Sequence, residues 1–150
     1  MNAHHLSIVI PAYNEAATIH LILDKVRKVV LPDDLGKEII IVNDCSKDDT
    51  EGAIGRYRAT HPEVNIQYYK HEVNQGKGAA LHTGIRKATG KYLIIQDADL
   101  EYDPEEYNLL LKPMLEGAAD VVYGSRFMGG NPHRILFFWH TIGNKFLTGV

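Results

Sequence analysis

Tyr92-Leu93-Ile94-Ile95-Gln96-Asp97-Ala98-Asp99-Leu100-Glu101 is the stretch from which the rest of the chain can be read. Its four opening residues are apolar without polar alternation, the pattern of a strand covered on both faces in a parallel sheet. Three acidic side chains follow where such a strand would end, with little countercharge nearby in sequence. Carboxylates gathered there repel one another and are costly to desolvate unless a cation holds them, and hard oxygen ligands suit Mg2+ or Mn2+. The plainer alternative is a solvated turn leading into a helix capped by Asp103 and opened by Pro104. Asp103 takes that plainer role, which leaves Asp97 and Asp99 as the metal candidates.

Working outward, similar apolar runs recur at residues 6–10, 38–42, 64–69 and 120–123. Helical patterns separate them. From Glu15, the residues Ile19, Ile22, Leu23, Val26, Val29 and Val30 make one apolar stripe, which Pro32 ends. Ser46 with Asp49 fits a capping box for a second helix through Ile54 and Tyr57. A third helix is expected over 78–87, and a fourth begins at Asp103 and Pro104. Strand and helix alternate about five times, which predicts an α/β fold with a parallel sheet and right-handed crossovers. In such sheets ligands collect at the carboxyl ends of the strands.

The bulk properties narrow the possibilities. With 150 residues, 45% hydrophobic and 23% charged, the chain suits one compact domain over 1–150. A net charge of -3 gives no basic field for nucleic acid. The single cysteine, Cys45, excludes an internal disulfide and a cysteine-built zinc site, and suits a reducing compartment. The start, Met1 to Leu6, lacks the segments of a signal peptide, and no run approaches the ~20 apolar residues of a membrane span. The eight histidines show no metal-ligand spacing. After Tyr123 a glycine- and proline-marked loop leads to an aromatic-rich segment at 135–140. The chain stops inside a helix-like pattern, as a domain truncated at its C-terminal side would.

Four segments fall just past expected strand ends: Pro11-Ala12-Tyr13-Asn14-Glu15, Val42-Asn43-Asp44-Cys45-Ser46, Asp97-Ala98-Asp99-Leu100-Glu101 and Gly124-Ser125-Arg126. The first is by itself ordinary punctuation between strand and helix. Beside the others, Tyr13 offers a ring to stack on a base, and Glu15 an acceptor for a base edge or a ribose. Asp44, at a strand tip, is free to accept a base N–H or a ribose hydroxyl. Lys77, between two glycines, can face a diphosphate from a flexible turn or be an ordinary exposed lysine. Arg126 carries a fork of donors that matches phosphate, and with Arg134 and Lys145 it can hold an anionic acceptor. Surface pairing is the equal alternative for Arg134 and Lys145.

In this order and spacing the segments resemble the family 2 glycosyltransferases of the GT-A fold, in particular the dolichol-phosphate mannose synthase and polyprenyl-phosphate glycosyltransferase group. The resemblance runs from Leu6 to the end and implies Rossmann-like α/β/α layers around a mainly parallel sheet. The family's Pro-x-Tyr-Asn-Glu stands as Pro11 to Glu15. Its Val-Asp-Asp-x-Ser stands as Val42 to Ser46, with Asn43 departing from the usual first Asp. Its Asp-x-Asp stands as Asp97-Ala98-Asp99. By resemblance, Pro11, Tyr13, Glu15, Val42, Asp44, Lys77, Asp97, Ala98 and Asp99 line the pocket for a nucleotide-sugar donor.

The same resemblance makes Asp99 and Glu101 metal ligands, with Mg2+ or Mn2+ as cofactor. It makes Asp97, Asp99 and Arg126 the catalytic set, and Arg126 with Arg134 the holders of an acceptor phosphate. The implied reaction is an inverting displacement in which an acceptor oxygen attacks the anomeric carbon and a metal-bound nucleoside diphosphate leaves. A polyprenyl phosphate acceptor would place the protein at the cytoplasmic face of a membrane. Phe137, Phe138 and Trp139 then suit peripheral contact through an interfacial helix, or else a plain core helix. Complete members continue through a further lobe on the acceptor side.

Other readings fare worse. A dinucleotide fingerprint fails because Leu81 stands where the third Gly or Ala belongs, and a phosphate loop fails because His71 stands where Gly belongs. A phosphatase using Asp-x-Asp as nucleophile and acid would place the pair on the first strand and a Thr at Glu101. A donor-binding domain without turnover, and a family 2 transferase that builds a cell-surface polysaccharide, stay open.

Overall fold

A computed structural model of the chain describes residues 5–124. The chain divides into two compact units, residues 1–112 and 113–150. The first unit alternates strand and helix: β1 (His5–Ala12), α1 (Ile19–Lys28), β2 (Gly36–Asn43), α2 (Thr50–Thr60), β3 (Ile66–Lys70), α3 (Lys77–Lys87) and β4 (Tyr92–Ile95). A short 3-10 turn, Pro104–Glu106, leads into α4 (Tyr107–Leu115), whose last residues belong to the second unit.

The four strands form one sheet in the order β3-β2-β1-β4, and every pairing is parallel. The crossover helices are what parallel neighbours require. β1 and β2 are continuous apolar runs because both faces are covered. Val9, Ile40 and Val42 form a buried cluster with Ala80 of α3, while strand alternation turns Ile8, Ile10, Ile39 and Ile41 to the other face, equally buried. Each such side chain contributes about 1.5–3 kcal/mol on leaving water. The α1 stripe buries Ile19, Ile22, Leu23 and Val26.

Gly84 lets α3 lie close on β1. A Cβ there would fall 2.3 Å from Cγ1 of Val9. Gly90 is equally constrained, since a Cβ would meet the carbonyl of His5 at 2.5 Å.

Several expected boundaries shift. The first helix ends at Lys28 rather than running to Pro32, because Val29 is already extended and Val30 is exposed. The ammonium of Lys37 docks on the last carbonyls of α1, donating to Val26, Arg27 and Val29 at 2.6–2.8 Å. Burial there pushes its pKa down. The capping box at Ser46 and Asp49 does not form. Asp49 stands at the N-cap without a side-chain cap bond, Ser46 Oγ accepts from the N–H of Asn14, and Asp48 instead takes the N–H and hydroxyl of Thr50. Asp103 does cap the turn at Pro104, accepting from the N–H of Glu105.

The expected fifth strand at 120–123 is not a strand. A strand exists through its ladder, and this segment enters none, with Val121 and Tyr123 exposed.

At the amino ends of the strands lies a buried carboxylate, Glu38. It accepts from the hydroxyl of Ser7, the N–H and hydroxyl of Thr89, the N–H of Gly90 and the side-chain amide of Gln67. Burial alone would raise its pKa, but these bonds outweigh burial and hold it below the usual value.

Candidate active site

The opposite end of the sheet is open. A cleft of about 250 Å³ lies past the carboxyl ends of β1, β2 and β4, lined by Pro11, Ala12, Tyr13, Glu15, Asp44, Lys77, Ala80, Asp97, Ala98 and Asp99. Sequence reasoning singled out eight of these, and the fold brings them to one place. Ala12 and Ala80 were missed; as small apolar residues they carry no signal beyond their positions at a strand end and a helix start.

Two expected site residues, Val42 of the donor pocket and Glu101 of the metal site, are not among the lining residues. Val42 is wholly buried in the cluster under α3, so its side chain cannot meet a ligand in the cleft. Glu101 is not among the lining residues; its N–H donates to Oδ1 of Asp99. Among the described residues no group of three His, Cys, Asp or Glu is gathered as a metal site. Arg126, Arg134, Lys145 and the aromatic residues Phe137, Phe138 and Trp139 lie outside the described residues.

The first wall of the cleft is stitched to the second. The loop after β1 turns at Asn14, which adopts a left-handed φ of 58°. Its amide oxygen accepts from the N–H of Lys47 at 2.8 Å, while its own N–H reaches Ser46 Oγ at 3.0 Å. The N–H of Glu15 donates to the buried hydroxyl of Thr50 at 2.8 Å, and that of Ala16 to Asp48 at 3.0 Å. These bonds satisfy backbone donors of the loop between β1 and α1. They also fix Tyr13, which is 40% exposed, and Glu15, whose carboxylate accepts from the Thr18 hydroxyl.

Asp44 is not the free acceptor that its place in sequence suggests. Its Oδ1 accepts from Nδ1 of His71 at 2.7 Å and the N–H of Gln75 at 2.9 Å, and its Oδ2 accepts from the N–H of Gly76 at 2.7 Å. Burial pushes its pKa up, but these donors outweigh burial and hold it below the usual value. The carboxylate is therefore ionised and ties down the loop that turns, with φ 86° at Gly76, into α3. Asn43, where a family Asp was expected, is buried and uses both ends of its amide. It donates to the Tyr68 hydroxyl and accepts from the N–H of Ser46. An aspartate could not donate there.

The carboxylates of the opening motif also have a countercharge that sequence distance hid. Nζ of Lys77, at the first position of α3, lies 2.6 Å from Oδ1 of Asp97. Asp99 is exposed at the mouth. Behind them, the buried Gln96 accepts from the hydroxyl of Tyr107 at 2.7 Å and donates to the carbonyls of Asp97 and Tyr102. That amide holds the acidic loop in shape. A polar residue closing an apolar run, directly before the acidic pair, was the signal that could have found it.

The donor set in the cleft suits a hard cation. Asp97 and Asp99 offer oxygen only, with no thiolate or imidazole among the lining residues, and Mg2+-type ions commonly bind through one or two carboxylates plus substrate phosphates. The cleft combines a ring, acceptors fixed by the backbone, one ammonium and two carboxylates, which is enough to hold a phosphorylated ligand with its cation.

Comparison with known proteins shows the chain's family and fold. The family model described as Glycosyl transferase family 2 matches residues 7–140. A dolichyl-phosphate beta-glucosyltransferase from Dictyostelium discoideum is 34% identical over 130 residues, covering 81% of this chain and 40% of that protein. A mannosyltransferase from Pyrobaculum calidifontis, solved in complex with GDP-Man and Mn2+, superimposes with a TM-score of 0.60 at 35% identity, over 63% of this chain and 27% of that one. The glucosyl-3-phosphoglycerate synthase of Mycobacterium tuberculosis, solved with Mn2+, UDP and glucosyl-3-phosphoglycerate, does so with a TM-score of 0.58 at 28% identity, over 75% and 40%. The chain thus spans between 27% and 40% of the length of these three proteins. The parallel sheet with its flanking helices is the GT-A fold.

Proposed function

The chain belongs to glycosyl transferase family 2, and from that membership we propose that it moves a hexose, with inversion, from a GDP-mannose- or UDP-glucose-type donor to a polyprenyl or dolichyl phosphate. The observation that carries the reading is the single cleft in which Tyr13, Glu15, Asp44, Lys77, Asp97 and Asp99 meet at the carboxyl ends of parallel strands. The dolichyl-phosphate acceptor in the name of the Dictyostelium relative supports the lipid acceptor. Such an acceptor puts the reaction at the cytoplasmic face of a membrane. Among the described residues no helix is long and apolar enough to cross one.

In this reading the half-exposed ring of Tyr13 stacks on the base, while Glu15 and Asp44 accept from base or ribose. Pro11 and Ala98 close the pocket around them. Asp97 and Asp99 hold Mg2+ or Mn2+, and Glu101 follows as a further candidate ligand. When bound, the cation neutralises the negative charge that develops on the departing diphosphate. Lys77, paired with Asp97 and 60% exposed, would offer its ammonium to the phosphates. The acceptor phosphate is already anionic, so no strong general base is needed. Asp97 and Asp99 also orient the reacting groups, and Arg126 with Arg134 holds the acceptor phosphate.

The test is calorimetric titration with UDP-glucose, UDP-N-acetylglucosamine and GDP-mannose, with Mn2+ and then with excess chelator, beside Asp99→Ala. One donor binding only with metal, and lost in the variant, is the expected result. Binding that ignores both chelator and Asp99→Ala would overturn the metal assignment, and binding of no donor would overturn the donor site.

A further inference from the structure

In sequence His71 entered only as the residue that breaks a phosphate-loop pattern, yet in the fold it braces Asp44 behind the cleft. It directly follows β3, its N–H continues the ladder to the carbonyl of Asn43 at 2.9 Å, and its ring is largely buried. Nδ1 lies 2.7 Å from Oδ1 of Asp44, and Nε2 lies 2.9 Å from the hydroxyl of Thr83 on α3. A carboxylate only accepts, so Nδ1 carries the proton. The imidazole therefore bridges the tip of β2 to the helix that brings Lys77 and Ala80 to the cleft.

The count of acceptor positions gives this bridge a function. A carboxylate offers about four lone-pair positions. In Asp44, His71 and the N–H of Gln75 fill the two on Oδ1, and the N–H of Gly76 fills one of the two on Oδ2. Among the described residues one position is left, and Asp44 lines the cleft.

We propose that His71 is a positioning residue of the donor site: it orients Asp44 so that the one remaining acceptor position on Oδ2 meets an N–H or O–H of the nucleoside. Without the imidazole, Oδ1 gains an empty position and the carboxylate can rotate away from the cleft. The ligand loses a fixed charged acceptor, while Lys77, Asp97 and Asp99 lose no direct partner of their own. This inference rests on the nucleotide-sugar reading of the cleft.

The experiment compares the full chain with His71→Ala and His71→Asn. Each is titrated with UDP, with GDP and with inorganic pyrophosphate, all in Mn2+, and melting temperatures establish that each variant is folded. For the nucleotide that the parent binds, His71→Ala weakens affinity about tenfold, the size of one lost hydrogen bond to a charged group. His71→Asn, which keeps an N–H near the place of Nδ1, recovers most of that loss, and pyrophosphate affinity stays level throughout. Unchanged nucleotide affinity in His71→Ala, an equal loss on pyrophosphate, or an Asn variant no better than Ala overturns the role of His71 while the cleft reading stands. Failure of the parent to bind either nucleotide overturns the cleft reading and this inference with it.

Discussion

Replacing Gly84 by alanine tests how α3 is held against the sheet. The added Cβ would sit 2.3 Å from Cγ1 of Val9, with Cβ and Cγ2 of Val9 at 3.4 Å. Apolar carbons rest about 3.5–4.0 Å apart, so α3 must retreat by about 1.2 Å or Val9 must leave its rotamer. Val9 is wholly buried in the central strand, and overpacking of this kind costs about 1–3 kcal/mol. Alanine gains about 1 kcal/mol over glycine in helix propensity, which leaves Gly84→Ala less stable by up to about 2 kcal/mol on these terms. In a Val9→Ala background the clashing methyl is gone, and the second substitution should become neutral or stabilising. Denaturant unfolding of the parent, both single variants and the double variant gives the coupling directly, expected at about 2 kcal/mol. An equal cost of Gly84→Ala in both backgrounds would refute the contact as the cause. Because α3 begins at Lys77, the single variant should also bind nucleotide less tightly.

Three further outcomes follow from other contacts. Glu38 has its pKa lowered in the fold, so its stabilisation is present above the unfolded value of about 4.3 and is lost as pH falls through the folded one. Glu38→Gln should therefore destabilise the protein at neutral pH by about 2–4 kcal/mol, from charged hydrogen bonds lost, and flatten the acid limb of stability measured by urea unfolding across pH. Thr50→Val removes the acceptor of the Glu15 N–H and should cost about 1–3 kcal/mol for the unsatisfied donor, with faster amide exchange at Glu15 as the local readout. Lys77→Met breaks the ion pair with Asp97, but Lys77 is 60% exposed; melting should move by less than about 1 kcal/mol, while pyrophosphate affinity in Mn2+ falls.

The parallel core was legible because apolar continuity is written locally, as in Ile39 to Val42. The cleft was largely legible for the same reason: strand ends are local events, and Tyr13, Asp44 and Asp97 each follow one. What could not be read were bonds between distant loops. Lys77 meets Asp97 across twenty positions of chain, and His71 reaches Asp44 only because β3 pairs with β2. The segment at 120–123 misled because apolar composition favours a strand but cannot supply its partner. Ser46 and Asp49 have capping spacing, yet the loop after β1 claimed Ser46 first.

Glu38 and its donors lie at one end of the sheet and the cleft at the other, so this network and the cleft lining form separate sets. Ser7, Glu38, Thr89 and Gly90 form a network that shares no member with the cleft lining. Such a chain can be re-tuned. If the proposed reading of the cleft holds, substitutions at Tyr13, Glu15, Lys77 or Asp99 change what it accepts while leaving the Glu38 network whole. A library directed at a new donor would vary those positions and keep the amino ends of the strands constant.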